Sequence, residues 1–79
     1  MPEIGEYVIF VDAYGHRHDA LLVEVHGGVG YPNPPVNLVY VSGNIDERDP
    51  NGRQIKRESS VVHKLHQAAH GMFWMEAPK

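Results

Sequence analysis

The sequence predicts an all-β domain, a small barrel of about five short strands with one long Gly/Pro-rich loop and a short irregular or helical turn near the C-terminus. Three observations predict it. The stretch Gly5–Val25, GEYVIFVDAYGHRHDALLVEV, holds two apolar runs, EYVIFVD and DALLVEV, joined by the turn AYGH. The apolar runs of the chain are short and rich in β-branched and aromatic residues, without the spacing of an amphipathic helix. Glycines and prolines fall between those runs and punctuate them.

Tyr7 to Val11 is the first strand, five β-branched or aromatic residues bounded by Gly5 and Gly15. The turn Ala13–His16 closes it, and Ala20–Val25 returns as the second strand, with Leu21, Val23 and Val25 on one face and Ala20, Leu22 and Glu24 on the other. HGGVGYPNPP follows. Three glycines and three prolines in ten residues place free and fixed φ side by side, which suits a long shaped loop. Val36–Ser42, VNLVYVS, is the third strand. Asp49-Pro50-Asn51-Gly52 is a hairpin turn, because proline presets the first central φ and Asn or Gly tolerates a left-handed one. It leads into Arg53–Glu58 as a fourth, solvent-facing strand with Gln54, Lys56 and Glu58 pointing outward. In Ser59–His70, Val61, Val62 and Leu65 with Ala68 and Ala69 make either a single helical turn or an irregular excursion. Phe73, Trp74 and Met75 form a short closing strand. Residues 1–79 make a single domain, of a size that buries only about 60% of the surface its unfolded chain exposes.

Gly5, the run Tyr7–Val11, Asp12, Gly15 and the return Ala20–Val25 compose the pattern G-x-hydrophobic run-D-x-x-G-x-x-x-A-hydrophobic run. With five short strands, the long hairpin first and the short strand last, the chain resembles the SH3-like small barrels, including KOW and Tudor-type domains. That resemblance implies the barrel. The basic RNA-facing residues and methyl-lysine cages of those families have no clear counterpart here, so their activities are not carried over. In size, opening hairpin and VNLVYVS the chain is also similar to short cysteine-free proteins encoded among tailed-phage structural genes. This implies a virion-associated role such as a head decoration or minor capsid component.

Formal charge is −3, with no cysteine. Disulfides and thiolate metal sites are therefore excluded as support for a small core. The opening MPEIGEYV has no basic segment followed by an apolar one, and no apolar run approaches the ~18 residues of a spanning helix. The expected setting is cytoplasmic or virion-associated, neither secreted nor in a membrane. Residues 1–40 carry five acids and one base, residues 41–79 five acids and six bases. Neither half has the clustered Lys and Arg from which a phosphate-backbone binder draws its affinity, which disfavours nucleic acid as the partner.

The strands do not alternate as a barrel with one wet face should. Tyr7, Ile9 and Val11 oppose Val8 and Phe10, Leu22 stands behind Leu21, Val23 and Val25, and Val39 and Val41 oppose Val36, Leu38 and Tyr40. One small core cannot take both sets. The remainder needs cover from an internal lid or from another chain. The expected function is accordingly non-enzymatic: a structural or interaction module packing against copies of itself or into a larger protein assembly. Its contact surface is assigned to Tyr31, Pro34, Pro35, Phe73 and Trp74, with Tyr7 and Tyr40 at the edge, since aromatic residues are enriched in interface cores.

Two other functions compete. Arg53, Lys56 and Arg57, with Arg48 and Lys64 nearby, form the one basic stretch, and Tyr40 or Trp74 beside it would suit single-stranded nucleic acid; the interleaved Asp46, Glu47, Asp49 and Glu58 favour a salt-bridged solvated face instead. Of six histidines, His63, His66 and His70 are spaced three and four apart and would share a helical face, and His16 and His18 would share a strand face. No resident cofactor is expected. Glu47, Asp49, Asn51, Gly52 and Glu58 imitate a calcium loop, but Pro50 and flanking strands contradict the helices such a loop needs. Ser59, Ser60, His63 and Asp46 lack the elbow of a hydrolase, and HGGVG lacks the lysine and helix of a phosphate loop.

Overall fold

The computed structural model describes residues 2–27, 33–66 and 71–78. Seven strands occur among them: β1 (Tyr7–Val11), β2 (Arg17–Val25), β3 (Val36–Val41), β4 (Arg48–Asp49), β5 (Gly52–Arg53), β6 (Ile55–Val61) and β7 (Phe73–Glu76), with one 3-10 turn at Lys64–His66. β4 and β5 form a small separate hairpin. The other five make one antiparallel sheet in the order β6-β3-β2-β1-β7. The all-β class, the five main strands and the short helical turn before the last strand are as expected. The ladder is not closed: β6 and β7 are its two edges, and the chain just beyond β6 meets β7 in an isolated bridge between His63 and Trp74. There the Trp74 amide donates to the Val62 carbonyl at 2.9 Å.

The opening hairpin forms as read. Gly15 supplies the positive φ of 84° that the turn requires, and the Asp12 carboxylate accepts the amides of Tyr14 and His16, both at 2.9 Å. This side-chain capping holds the turn without a partner from elsewhere. β2 begins at Arg17, three residues earlier than expected, because the ladder with β1 runs to the Val11–Arg17 pair.

Register decides which apolar set is enclosed. Val8, Phe10, Ala20, Leu22, Val36, Leu38, Val61 and Trp74 form the buried cluster, with Val25, Tyr40 and Met72 packed against it. Val25 belongs there because of a bulge between Leu22 and Glu24, which puts Val25 opposite Val36 instead of on the face of Leu21 and Val23. A second bulge opposes Ser59 and Ser60 to Asn37. Ser60 takes φ +53°, and its amide donates to Asn37 Oδ1 at 2.9 Å while His26 Nε2 donates to the same oxygen at 2.8 Å.

The chain beyond β6 is pinned by His63. Its Nδ1 accepts the Leu65 amide at 3.1 Å, so its Nε2 carries the hydrogen donated to Glu76 Oε1 at 2.8 Å. The ring stands edge-on to Trp74 at 4.6 Å between centroids. Trp74 is 1% exposed and donates from Nε1 to the Pro34 carbonyl at 3.1 Å, which ties the far end of the long loop to the closing strand. Pro34 is itself buried.

Candidate functional site

Two surfaces stand out, one on each side of the sheet. The outer face follows from the pairing, since residues opposite one another on neighbouring strands point the same way. One row runs Tyr7, Leu21, Val39, Arg57, and a second runs Met75, Ile9, Asp19, with Val41 and Ile55 continuing it on β3 and β6. Phe73 and Met75 lie beside Val11 and Ile9, and those two are buried. The rest stays in water: Leu21 is 49% exposed, Val41 51% and Ile55 61%, with Tyr7 and Val23 also exposed. Tyr7, Leu21, Val39, Val41 and Ile55 rim a shallow hollow of about 340 Å³. Its polar residue, Asp19, accepts the Tyr7 hydroxyl at 2.8 Å, and that hydrogen bond raises the Tyr7 phenol pKa.

The second surface is a cleft of about 440 Å³ between the β1–β2 turn and the loop after β3. Its floor is the inner end of the sheet, where the Tyr40 ring rests 4.9 Å from Phe10 and 4.7 Å from His18. One wall is Asp12, whose Oδ2 lies 2.8 Å from His18 Nε2. Burial pushes the Asp12 carboxyl up, but the hydrogen bonds from His18 and from the His16 and Tyr14 amides outweigh it and hold the group below its ordinary value. The opposite wall is Ser42–Glu47. Buried Ser42 donates to Glu47 Oε1 at 2.6 Å and accepts the Asn44 amide at 3.1 Å, while Lys56 Nζ lies 3.3 Å from both Glu47 oxygens. Ser42 first and Lys56 second depress the Glu47 carboxyl.

The expected contact residues divide. Pro34 and Trp74 lie in the core, so they form no surface of the chain; aromatic content alone does not distinguish a core ring from an interface ring. Pro35 and Phe73 are half-buried, and Tyr31 lies outside the described residues. Tyr7 sits on the outer face, whereas Tyr40 turns inward to the cleft floor. The basic stretch is dispersed: Lys56 opposes inward-facing Tyr40, Arg57 opposes outward-facing Val39, and Arg53 donates to the Ser42 carbonyl at 3.2 Å. Lys56 and Glu58 thus face the cleft rather than outward, because the fourth strand begins at Ile55 and its register follows Tyr40 and Leu38. Of the histidine trio, both ring nitrogens of His63 are engaged, His66 is exposed on the 3-10 turn, and His70 lies outside the described residues. No group of three or more His, Cys, Asp or Glu positioned for a metal occurs among the described residues.

The sequence reading missed the cleft. Its signal was the alternation of His16 and His18 after Asp12 together with Lys56 and Glu58, but only the pairing brings those segments to Tyr40. No helix among the described residues is long and apolar enough to cross a membrane. No protein-family model matches the chain, nor does any curated protein or solved structure.

Proposed function

We propose that this domain is an interaction module that packs through the outer face of its sheet, with a second copy of the chain as the partner in its simplest assembly. The observation that carries this reading is the patch formed by Tyr7 and Leu21 on one row with Val41 and Ile55 on the next, each about half exposed or more and all bordering one hollow. Such a patch is uncommon on a monomer's surface. The closing strand already covers Ile9 and Val11, so the apolar surface left over begins where the internal cover ends. The face also carries both signs of charge, Asp19 and Arg57, so a two-fold pairing can oppose the acid of one copy to the base of the other. A non-enzymatic role fits this face, which presents apolar groups and little chemistry. An SH3-like barrel is supported by the long first hairpin, the five strands and the 3-10 turn before the last one, and a virion component is the most concrete setting for a module that works by packing.

Sedimentation equilibrium over a range of concentrations tests the proposal. The wild-type chain is expected to self-associate, and Leu21→Lys with Ile55→Lys to sediment as a monomer with an unchanged circular dichroism spectrum. A wild-type chain that stays monomeric and binds no apolar dye would defeat it.

A further inference from the structure

We infer that the cleft between the β1–β2 turn and the loop after β3 is a binding site for a guanidinium group. Its lining carries three carboxylates, Asp12, Glu47 and Glu58, against one ammonium, Lys56. Two of the carboxylates are committed. Asp12 is held by His18 and two backbone amides, and Glu47 by Ser42 and Lys56. Glu58 is half-buried, and its carboxylate has neither a hydrogen bond nor an ion pair among the described residues. Beside it the Tyr40 hydroxyl is also without a hydrogen bond among those residues, and burial first, then the Glu58 charge, keep that phenol protonated to higher pH.

Lys56 acts on Glu58 only through space and is itself bound to Glu47, so the Glu58 oxygens, next to an aromatic face, keep their acceptor capacity for a cation. The form of the cleft selects which one. Tyr40 packs against the tilted rings of Phe10 and His18, which hold it in place, and it is a single platform in an open cleft. A compact, strongly hydrated ammonium is a point charge that gives up more hydration on entering and has no planar edge to match a carboxylate. A planar guanidinium can stack on one ring and still donate two parallel hydrogen bonds from its edge to one carboxylate. Exposed Tyr14 also lines the cleft. Of the residues that line the cleft, Tyr40 alone also borders the outer hollow, and Glu58 does not, so a change at Glu58 leaves self-association untouched.

Amide chemical-shift titration of the full chain at constant ionic strength tests it, using methylguanidinium chloride, an end-blocked Gly-Arg-Gly peptide and n-butylammonium chloride. Saturating shifts at Gly43, Tyr40 and Glu58 are expected for the guanidinium probes, at least about fivefold tighter than for n-butylammonium. Tighter binding of the peptide points to an arginine carried on a partner chain, and tighter binding of methylguanidinium to a free small molecule. Glu58→Gln, an exterior change whose spectrum itself reports folding, is expected to weaken binding about fivefold or more. Shifts that never saturate, equal affinity for n-butylammonium, or undiminished binding by folded Glu58→Gln would each overturn the inference.

Discussion

Replacing Trp74 with phenylalanine tests the joint that holds the long loop and the closing strand together. The indole is 1% exposed and gives its hydrogen to the Pro34 carbonyl at 3.1 Å. Phenylalanine leaves that buried carbonyl without its partner, a cost of about 1–3 kcal/mol. It also leaves unfilled part of the volume that the larger indole takes up beside His63, which adds roughly 1 kcal/mol where the surroundings relax only in part. The sum, about 2–4 kcal/mol, is large beside the ~4–12 kcal/mol expected for a chain of this length. It corresponds to a fall in Tm on the order of 10–25 °C. Trp74 is the single tryptophan, so its fluorescence cannot follow the variant, and urea unfolding has to be monitored by far-ultraviolet circular dichroism. The midpoint should drop with the slope m unchanged, since the same surface is exposed on unfolding. A loss below about 1 kcal/mol would refute the reasoning, because a buried carbonyl so cheaply orphaned was never relying on the indole.

Ser60→Gly should raise stability by about 1 kcal/mol in chemical denaturation, since a φ of +53° strains any residue with a β-carbon; a decrease would mean the serine side chain contributes more than the strain removes. Asp12, Glu47 and Glu76 all have carboxyl pKa values below the ordinary range in the folded chain, Glu76 through its hydrogen bond from His63. A depressed folded value means stability that is complete above the unfolded pKa and lost as pH falls through the folded one. The melting temperature should therefore be flat near neutrality and decline below pH ~4. Asp12→Asn, which keeps an oxygen for the two amides but loses the charge opposite His18, should cost about 1–2 kcal/mol at pH 7 and make the acid decline shallower, as read by melts from pH 7 downward. Leu21→Lys and Ile55→Lys, both exposed, should leave the urea midpoint of dilute protein within ~0.5 kcal/mol of wild type; a larger loss would show that these side chains support the fold itself.

Much of the fold is legible along the chain because its causes are local. The hairpin from Gly5 to Val25 forms where β-branched runs meet a turn whose Asp12 and Gly15 stabilise it from within. Asp49–Gly52 turns for the same kind of reason: the Asn51 amide donates to Asp49 Oδ1 at 2.8 Å and Gly52 takes φ +123°. The excess of apolar residues over what one core can hold is legible too, as composition on strands of known period. Which of the expected contact and basic residues reach a surface depends on the side of the strand each takes, and that is not legible along the chain. Trp74 reads as a surface ring until Pro34 is found over its indole nitrogen, 40 residues away in sequence.

The sequence by itself determined the all-β class, the order of the five main strands, the turns between them, and the presence of more apolar surface than the core encloses. Only the tertiary structure decided which surface that is. Two bulges, at Val23 and at Ser59–Ser60, shift the alternation within strands, and each one-residue shift exchanges inside for outside. The first bulge brings Val25 and the second Val61 to the core side, while Leu21, Val41 and Ile55 alternate onto the outer face and stay in water. The same long-range register gathers Asp12, His18, Tyr40, Glu47 and Glu58, from the first turn, β2, β3, the loop after β3 and β6, around one cleft. Local preference shapes each strand, but a face is a property of paired strands.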